Sequence, residues 1–292
     1  MDAAMLEQVA VAERPRLLGI AYRMTGSYAD AEDIVQEAML RVHRAAPTDI
    51  DTPAAYLTTI TTRLGIDHLH SARVRRETYV GPWLPEPIAG DPAPDAASQA
   101  VLDDTISIAF LVLLETLNPD ERAVVVLHDV FAYTHPQIAQ ILERSEASCR
   151  QLLRRARQRL EHGQTRAPVE PARRDEVVRR FAAACRGGDF EAFLETLVAD
   201  AELVVDGGPN IKTAARHPIR GADRIARFLA YVMARLTVTR RLEITTLNDG
   251  PALLVHAEPG GLIGALFIEP APDGRAEVIR WVRNPDKLNR LN

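Results

Sequence analysis

The sequence predicts a multidomain chain: two all-α domains, the second with a helix-turn-helix, followed by a cone-shaped α+β domain. Three observations carry that expectation. Apolar residues recur at helical spacing through residues 6–77 and again through 104–162. Between them, Pro82, Pro85, Pro87, Pro92 and Pro94 interrupt residues 78–103 and exclude a regular element there. Beyond a short linker at 163–174, residues 175–292 combine amphipathic helices with alternating, strand-like runs. A length of 292 residues suits two or three compact units. The 47% hydrophobic and 26% charged composition excludes collagen-like and wholly disordered classes.

Every apolar run falls short of the roughly 18 residues of a membrane span. The start, Met1 to Glu7, has no signal-peptide pattern, and Cys149 and Cys185 build no disulfide framework, so a cytoplasmic protein without membrane association is expected. The 35 basic and 40 acidic residues leave a net charge of -5. A chain acidic overall does not attract nucleic acid as a whole, so any such binding must come from local patches.

In the first helical segment, Ala31, Ile34, Val35, Ala38 and Val42 share one helical face and Asp33, Gln36, Glu37 and Arg41 the other. Periodicity alone fits a solvated face on a bundle helix. A second helix runs from about Pro53 to Ala72, with Leu57, Ile60, Leu64 and Leu69 about one turn apart. Arg63, Arg73, Arg75 and Arg76 make its end basic, with Tyr56 and Tyr79 nearby. That combination can track phosphates and stack on unpaired bases; it equally suits a helix end favoured by its dipole. The connector that follows is acidic, with nine acids and no base from Glu77 to Glu121. Trp83 and Leu84 lie between prolines there, and a bare linker seldom exposes a Trp, so this segment is expected to dock on a folded surface.

The strongest pattern runs from Tyr133 to Arg157. Pro136 suits a first helical turn, Ile138, Ala139 and Leu142 form an inward face, and Ser145 is the expected N-cap of the next helix. Cys149, Leu152, Leu153, Ala156 and Leu160 then make a second inward stripe, leaving Ala147, Arg150, Gln151 and Arg154 outward with Arg155 at the edge. Six arginines against one acid, Glu146, lie between Arg144 and Arg159. Such a helix suits a major groove: arginines meet phosphates and base edges, and the small Ala147 and Ser148 permit close approach. The turn, which often carries Gly, has Glu143 instead.

On these residues, 6–162 resembles an extracytoplasmic-function RNA polymerase sigma factor. The resemblance implies that the Asp33, Gln36, Glu37 and Arg41 face docks on the clamp coiled coil of the polymerase β′ subunit. The helix from Tyr56 to Leu69 then melts and reads the minus-ten element, using Tyr56, Arg63, Arg73, Arg75 and Arg76. The helix-turn-helix reads the minus-thirty-five element through Ser145, Ala147, Ser148, Arg150, Gln151, Arg154 and Arg155. Arg63 stands where many relatives have Asn. The partners implied are core RNA polymerase, through β′ and β, and promoter DNA.

Three further strings resemble the signatures of sigma factors with a SnoaL-like C-terminal domain: Trp83-Leu84-Pro85-Glu86-Pro87, Asp206-Gly207-Gly208, and Asn284-Pro285-Asp286-Lys287-Leu288. Pro209-Asn210-Ile211 separates Gly208 from Lys212, where that group has a basic residue sooner. The C-terminal segment itself reads as a helix at Val177–Arg186, a second beginning at Phe190, a strand at Ala201–Asp206, and alternating runs at Thr237–Thr245, Ala252–Ala257, Gly264–Ile268 and Ala276–Val282. Helices followed by a curved antiparallel sheet make a cone with an inner cavity. The expectation is a fused regulator that grips Trp83, Leu84 and Pro85, with Trp281 and residues 284–288 as contacts. A small-molecule effector in the cone could act only through unequal affinity for two arrangements. Asp206, His217, His256 and Arg283 are the acid–base candidates, and their spacing singles out no dyad. No Cys/His cluster has zinc spacing and no Gly loop cradles phosphate, so no catalysis and no cofactor are expected. The competing readings are a ligand-responsive regulator that binds DNA without polymerase, and a SnoaL-type enzyme on a helical tether.

Overall fold

The computed structural model describes residues 3–45, 52–77, 79–89, 107–163, 170–187, 190–235 and 239–291. They fall into two compact units. The rest of the proline-rich connector, residues 90–106, lies outside the described residues.

The first unit is helical. Helix α1 (Ala3–Thr25), α2 (Tyr28–Ala45) and α3 (Pro53–Glu77) pack through Leu17, Ile20, Met24, Ile34, Val35, Ala38 and Leu57, all buried. Helix α3 continues five residues beyond the Ala72 end expected from its apolar spacing. A second helical group follows: α4 (Ile108–Leu114), α5 (Pro119–Val125), a π-helical turn (Val126–Val130), α6 (His135–Leu142) and α7 (Glu146–Gly163). Helix α5 starts with a reciprocal capping box between Asn118 and Glu121, and α6 with one between Thr134 and Gln137. Each satisfies backbone donors that a helix start would otherwise leave open.

The second unit is α+β. Helix α8 (Pro171–Gly187), α9 (Phe190–Leu194) and α10 (Ala222–Arg235) accompany one six-stranded sheet. The strands are β1 (Leu197–Asp206), β2 (Ile219–Arg220), β3 (Thr239–Leu247), β4 (Gly250–Glu258), β5 (Leu262–Pro270) and β6 (Ala276–Val282), in the order β2-β1-β6-β5-β4-β3. The expected antiparallel sheet is corrected here: β1 pairs with β6 in parallel, and the other neighbours are antiparallel. Alternation in a sequence shows which face a side chain takes but not the direction of the neighbouring strand.

Helix α10 was not foreseen, although Ile225, Ala226, Leu229 and Val232 repeat at helical spacing and are buried. Together with Val178 and Phe181 of α8 they cover Leu203, Val205, Leu266, Ile279 and Trp281 on one face of the sheet. Burying each large apolar side chain contributes about 1.5–3 kcal/mol. Residues 79–89 of the connector belong to this unit.

Candidate functional site

On α2, Asp33, Gln36 and Arg41 are exposed and Glu37 half-buried, with Arg41 Nε donating to Glu37 Oε1 at 2.7 Å. Leu40, 41% exposed, lies between these polar groups and was not foreseen. A large apolar side chain on an otherwise polar stripe was the signal available for it. The face is open to a partner, and the structure leaves its polar groups in one row.

On α3, Tyr56 is half-buried and Arg63 faces α6. Arg73, Arg75 and Arg76 occupy the last turns of α3, and their side chains lie outside the described residues.

The helix-turn-helix follows the sequence closely. Ser145 caps α7, its Oγ accepting from Ser148 N at 3.2 Å. Glu143 adopts φ 52°, the left-handed conformation that the turn demands and glycine would adopt freely; for a residue with a Cβ this costs about 1–2 kcal/mol. Cys149, Leu152, Leu153, Ala156 and Leu160 are buried, whereas Ala147, Arg150, Gln151, Arg154 and Arg155 are exposed. Ile141, with Ile138, forms the buried face of α6, in place of the expected Ala139 and Leu142, which are half-buried. Arg144, Arg150, Arg157 and Arg159 pair with Asp120, Glu146, Asp129 and Glu121. Among the described residues Arg154 and Arg155 have no acidic partner, and both side chains are exposed.

In the second unit the three signature strings converge on Asp206, whose side chain is fully buried at the end of β1. Its Oδ1 accepts from Tyr79 Oη at 2.6 Å and from Gly208 N at 3.1 Å. Its Oδ2 accepts from Leu84 N at 2.9 Å and from Lys287 Nζ at 2.7 Å. Lys287 Nζ also donates to Leu84 O, and lies 4.0 Å from the centre of the Trp83 ring and 5.4 Å from that of Tyr79. Asn284 Nδ2 donates to Tyr79 Oη at 3.0 Å. Burial, reinforced by the Asp206 charge, holds the Tyr79 phenol far above its usual range, so it remains a donor. Gly208 has φ +59°, and a Cβ there would meet Asn284 at 2.8 Å; at Gly207 it would meet Ala214 Cβ at 2.2 Å. Gly208 lets the loop close on the third string, and Gly207 lets it fold against Ile211 and Ala214.

Pro285 and Asp286 are exposed on a 3₁₀ turn that Asn284 caps, while Leu288 is buried behind it. Pro85 is buried beside Leu84. The connector is tied at its other end too: Ile88 N donates to Asn248 Oδ1 and Asn248 N to Ile88 O, both at 3.0 Å, and Ala89 bridges Leu247. Asn248 was not foreseen; the Asn248-Asp249-Gly250 turn between two alternating runs was the signal for it.

The remaining candidates are placed as follows. Lys212 is exposed, and Lys287 is the lysine that meets Asp206. Trp281 packs in the helix-covered core with Ile279, because strand alternation puts odd-numbered residues of β6 on that face. Tyr79 meets Asp206 instead of extending a basic patch. Of the acid–base candidates, Asp206 and Arg283 are joined through the backbone, Arg283 N donating to Asp206 O at 2.6 Å. Asp206 is committed to four donors, His217 is exposed, and His256 Nε2 lies 3.3 Å from Glu243. Arg283 is buried, stacks 4.7 Å over Trp281 and donates to Thr213 Oγ1 at 3.0 Å; burial lowers its pKa to about 10.

A helix-turn-helix with a basic, exposed second helix, beside a three-helix module with an exposed polar face, is the arrangement of a promoter-recognition protein. Residues 10–75 match Sigma-70 region 2 and residues 107–160 match Sigma-70 region 4. The chain belongs to the ECF RNA polymerase sigma factors, subunits that bring core polymerase to promoters and start transcription. It is 42% identical to the ECF RNA polymerase sigma factor SigJ of Mycobacterium tuberculosis strain H37Rv, over 94% of this chain and 90% of that one. It is 38% identical to the probable ECF sigma factor SigI of M. tuberculosis strain CDC 1551, over 73% and 72%. The crystal structure of M. tuberculosis SigJ superposes with a TM-score of 0.74 at 34% identity, covering 96% of each chain.

Proposed function

We propose that the C-terminal unit is a built-in regulator that acts by gripping the connector, and that it performs no catalysis. The observation that carries this is the Asp206 knot, in which one buried carboxylate binds Tyr79, Leu84 and Lys287 while Lys287 lies on the Trp83 ring. A connector held at Tyr79–Leu84 and again at Ile88–Ala89 has little conformational freedom left. Its grip therefore limits how the two DNA-reading modules can be arranged on polymerase. In this reading Asp33, Gln36, Glu37, Arg41 and the exposed Leu40 meet the β′ clamp. Tyr56, Arg63, Arg73, Arg75 and Arg76 engage the minus-ten element, and α7 engages the minus-thirty-five element. A small-molecule effector acts only by favouring the gripped or the released connector.

The test is run-off transcription with core polymerase and the Trp83→Ala chain. The cation–ring contact and half-buried indole are lost without touching either DNA-reading module. Promoter output is expected to change at least twofold while helix content holds; unchanged output at all promoters tested rejects the grip.

A further inference from the structure

Arg63 and Glu143, the two residues that depart from the expected pattern of the helical modules, meet each other. Arg63 Nη2 lies 2.9 Å from Glu143 Oε1, and Arg63 Nε donates to Ile141 O at 3.0 Å. The left-handed backbone of Glu143 sets its side chain at the tip of the α6–α7 turn. Other contacts surround the pair. Arg16 Nη2 donates to Thr58 Oγ1 at 2.9 Å, Arg16 also reaches Tyr133 Oη, and Thr58 Oγ1 lies 3.1 Å from Tyr133 Oη. Deeper in, Arg122 Nη1 donates to Met24 O at 2.7 Å, and the Arg23 guanidinium lies 5.6 Å from the Phe131 ring. The first unit is thus closed, with α1 and α3 packed on the π-helical turn and α6. The outward face of α7 stays exposed.

We propose that Arg63 and Glu143 form a releasable clasp between the two DNA-reading modules: Arg63 exchanges Glu143 for nucleic acid when the modules separate on polymerase. This rests on α3 being the minus-ten reader. The two promoter elements lie about 25 base pairs apart, which is roughly 85 Å of duplex axis. A compact unit of this size has a radius of gyration of roughly 15 Å, so the closed form cannot engage both elements. It leaves α7 free to touch DNA while occupying Arg63. The side chains of the pair are 42% and 75% exposed, so water and salt weaken it. An exposed pair biases such an equilibrium by about two- to fivefold, enough to favour closure and weak enough for polymerase to overcome.

The decisive variant is Glu143→Gly in the full chain, which removes the carboxylate and relieves the left-handed residue. Spin labels at Arg44→Cys and Glu161→Cys, with Cys149→Ala and Cys185→Ser, report the distance between modules without polymerase or DNA. The open population is expected to rise two- to fivefold, and the association rate with core polymerase by the same factor. The Arg63→Glu/Glu143→Arg double variant should return the distance distribution toward that of the original chain. Hydrogen exchange along α6, in chains with the native cysteines, gives a second readout: protection falls in Glu143→Gly and recovers in the swap. An unchanged open population and unchanged α6 protection overturn the clasp. So does a more open chain that binds polymerase no faster. A working clasp combined with full minus-ten opening by Arg63→Glu instead rejects the assignment of α3.

Discussion

Asp206 shows how one carboxylate organises a domain. It is fully buried, ion-paired with Lys287 and bonded to two backbone amides' worth of connector and loop through Leu84 and Gly208. Breaking one partner of a buried pair leaves an uncompensated charge, which costs about 3–5 kcal/mol. Asp206→Asn should therefore lower the stability of the second unit by that amount in urea denaturation and expose residues 79–89 to protease. Lys212→Ala, at an exposed position, should change stability by no more than about 0.5 kcal/mol. The sequence displayed each member of this knot except Tyr79 within its own short string. It could not show that they meet, because Leu84 is 122 residues and Lys287 81 residues from Asp206 along the chain. The choice of Lys287 over Lys212 follows from the 3₁₀ turn that aims Lys287 inward.

Among the elements, α7 was legible residue by residue, since a single helical period assigns both its buried stripe and its exposed face. Arg154 and Arg155, which lack acidic partners among the described residues, are phosphate contacts in the proposed reading. Replacing either with Ala should weaken DNA binding about uniformly across sequences and reduce the slope of log affinity against log salt by about 1. Filter binding at several salt concentrations checks this; an unchanged slope places those arginines away from DNA. Helix α10 was missed even though its period is as clear, because it interrupts a series of strand-like runs. The parallel β1–β6 pairing was also hidden, since alternation is the same for either strand direction.

At the scale of the molecule, two helical modules and the proposed regulator share one chain, so the local concentration of that unit at the connector does not depend on expression of a second protein. A chain ending near Arg166 lacks β1 and Lys287 and so has no seat for residues 79–89. It should still support initiation with core polymerase, with promoter output shifted at least twofold from that of the full chain. Run-off transcription on one template measures both. Equal output from the two chains removes the regulatory role, and no output from the shorter chain means that the C-terminal unit is needed for initiation itself.

The sequence by itself determined most helices and most strands, the cap at Ser145, the first-turn place of Pro136 and the basic face of α7. Each of these depends on neighbours within a few turns of chain, where period and local hydrogen bonding act. Only the tertiary structure decided that Lys287 answers Asp206, that Trp281 serves the core, and that Arg63 reaches Glu143. The physical reason is that a charge selects its partner by distance and burial in space, and packing brings together residues that the chain holds far apart.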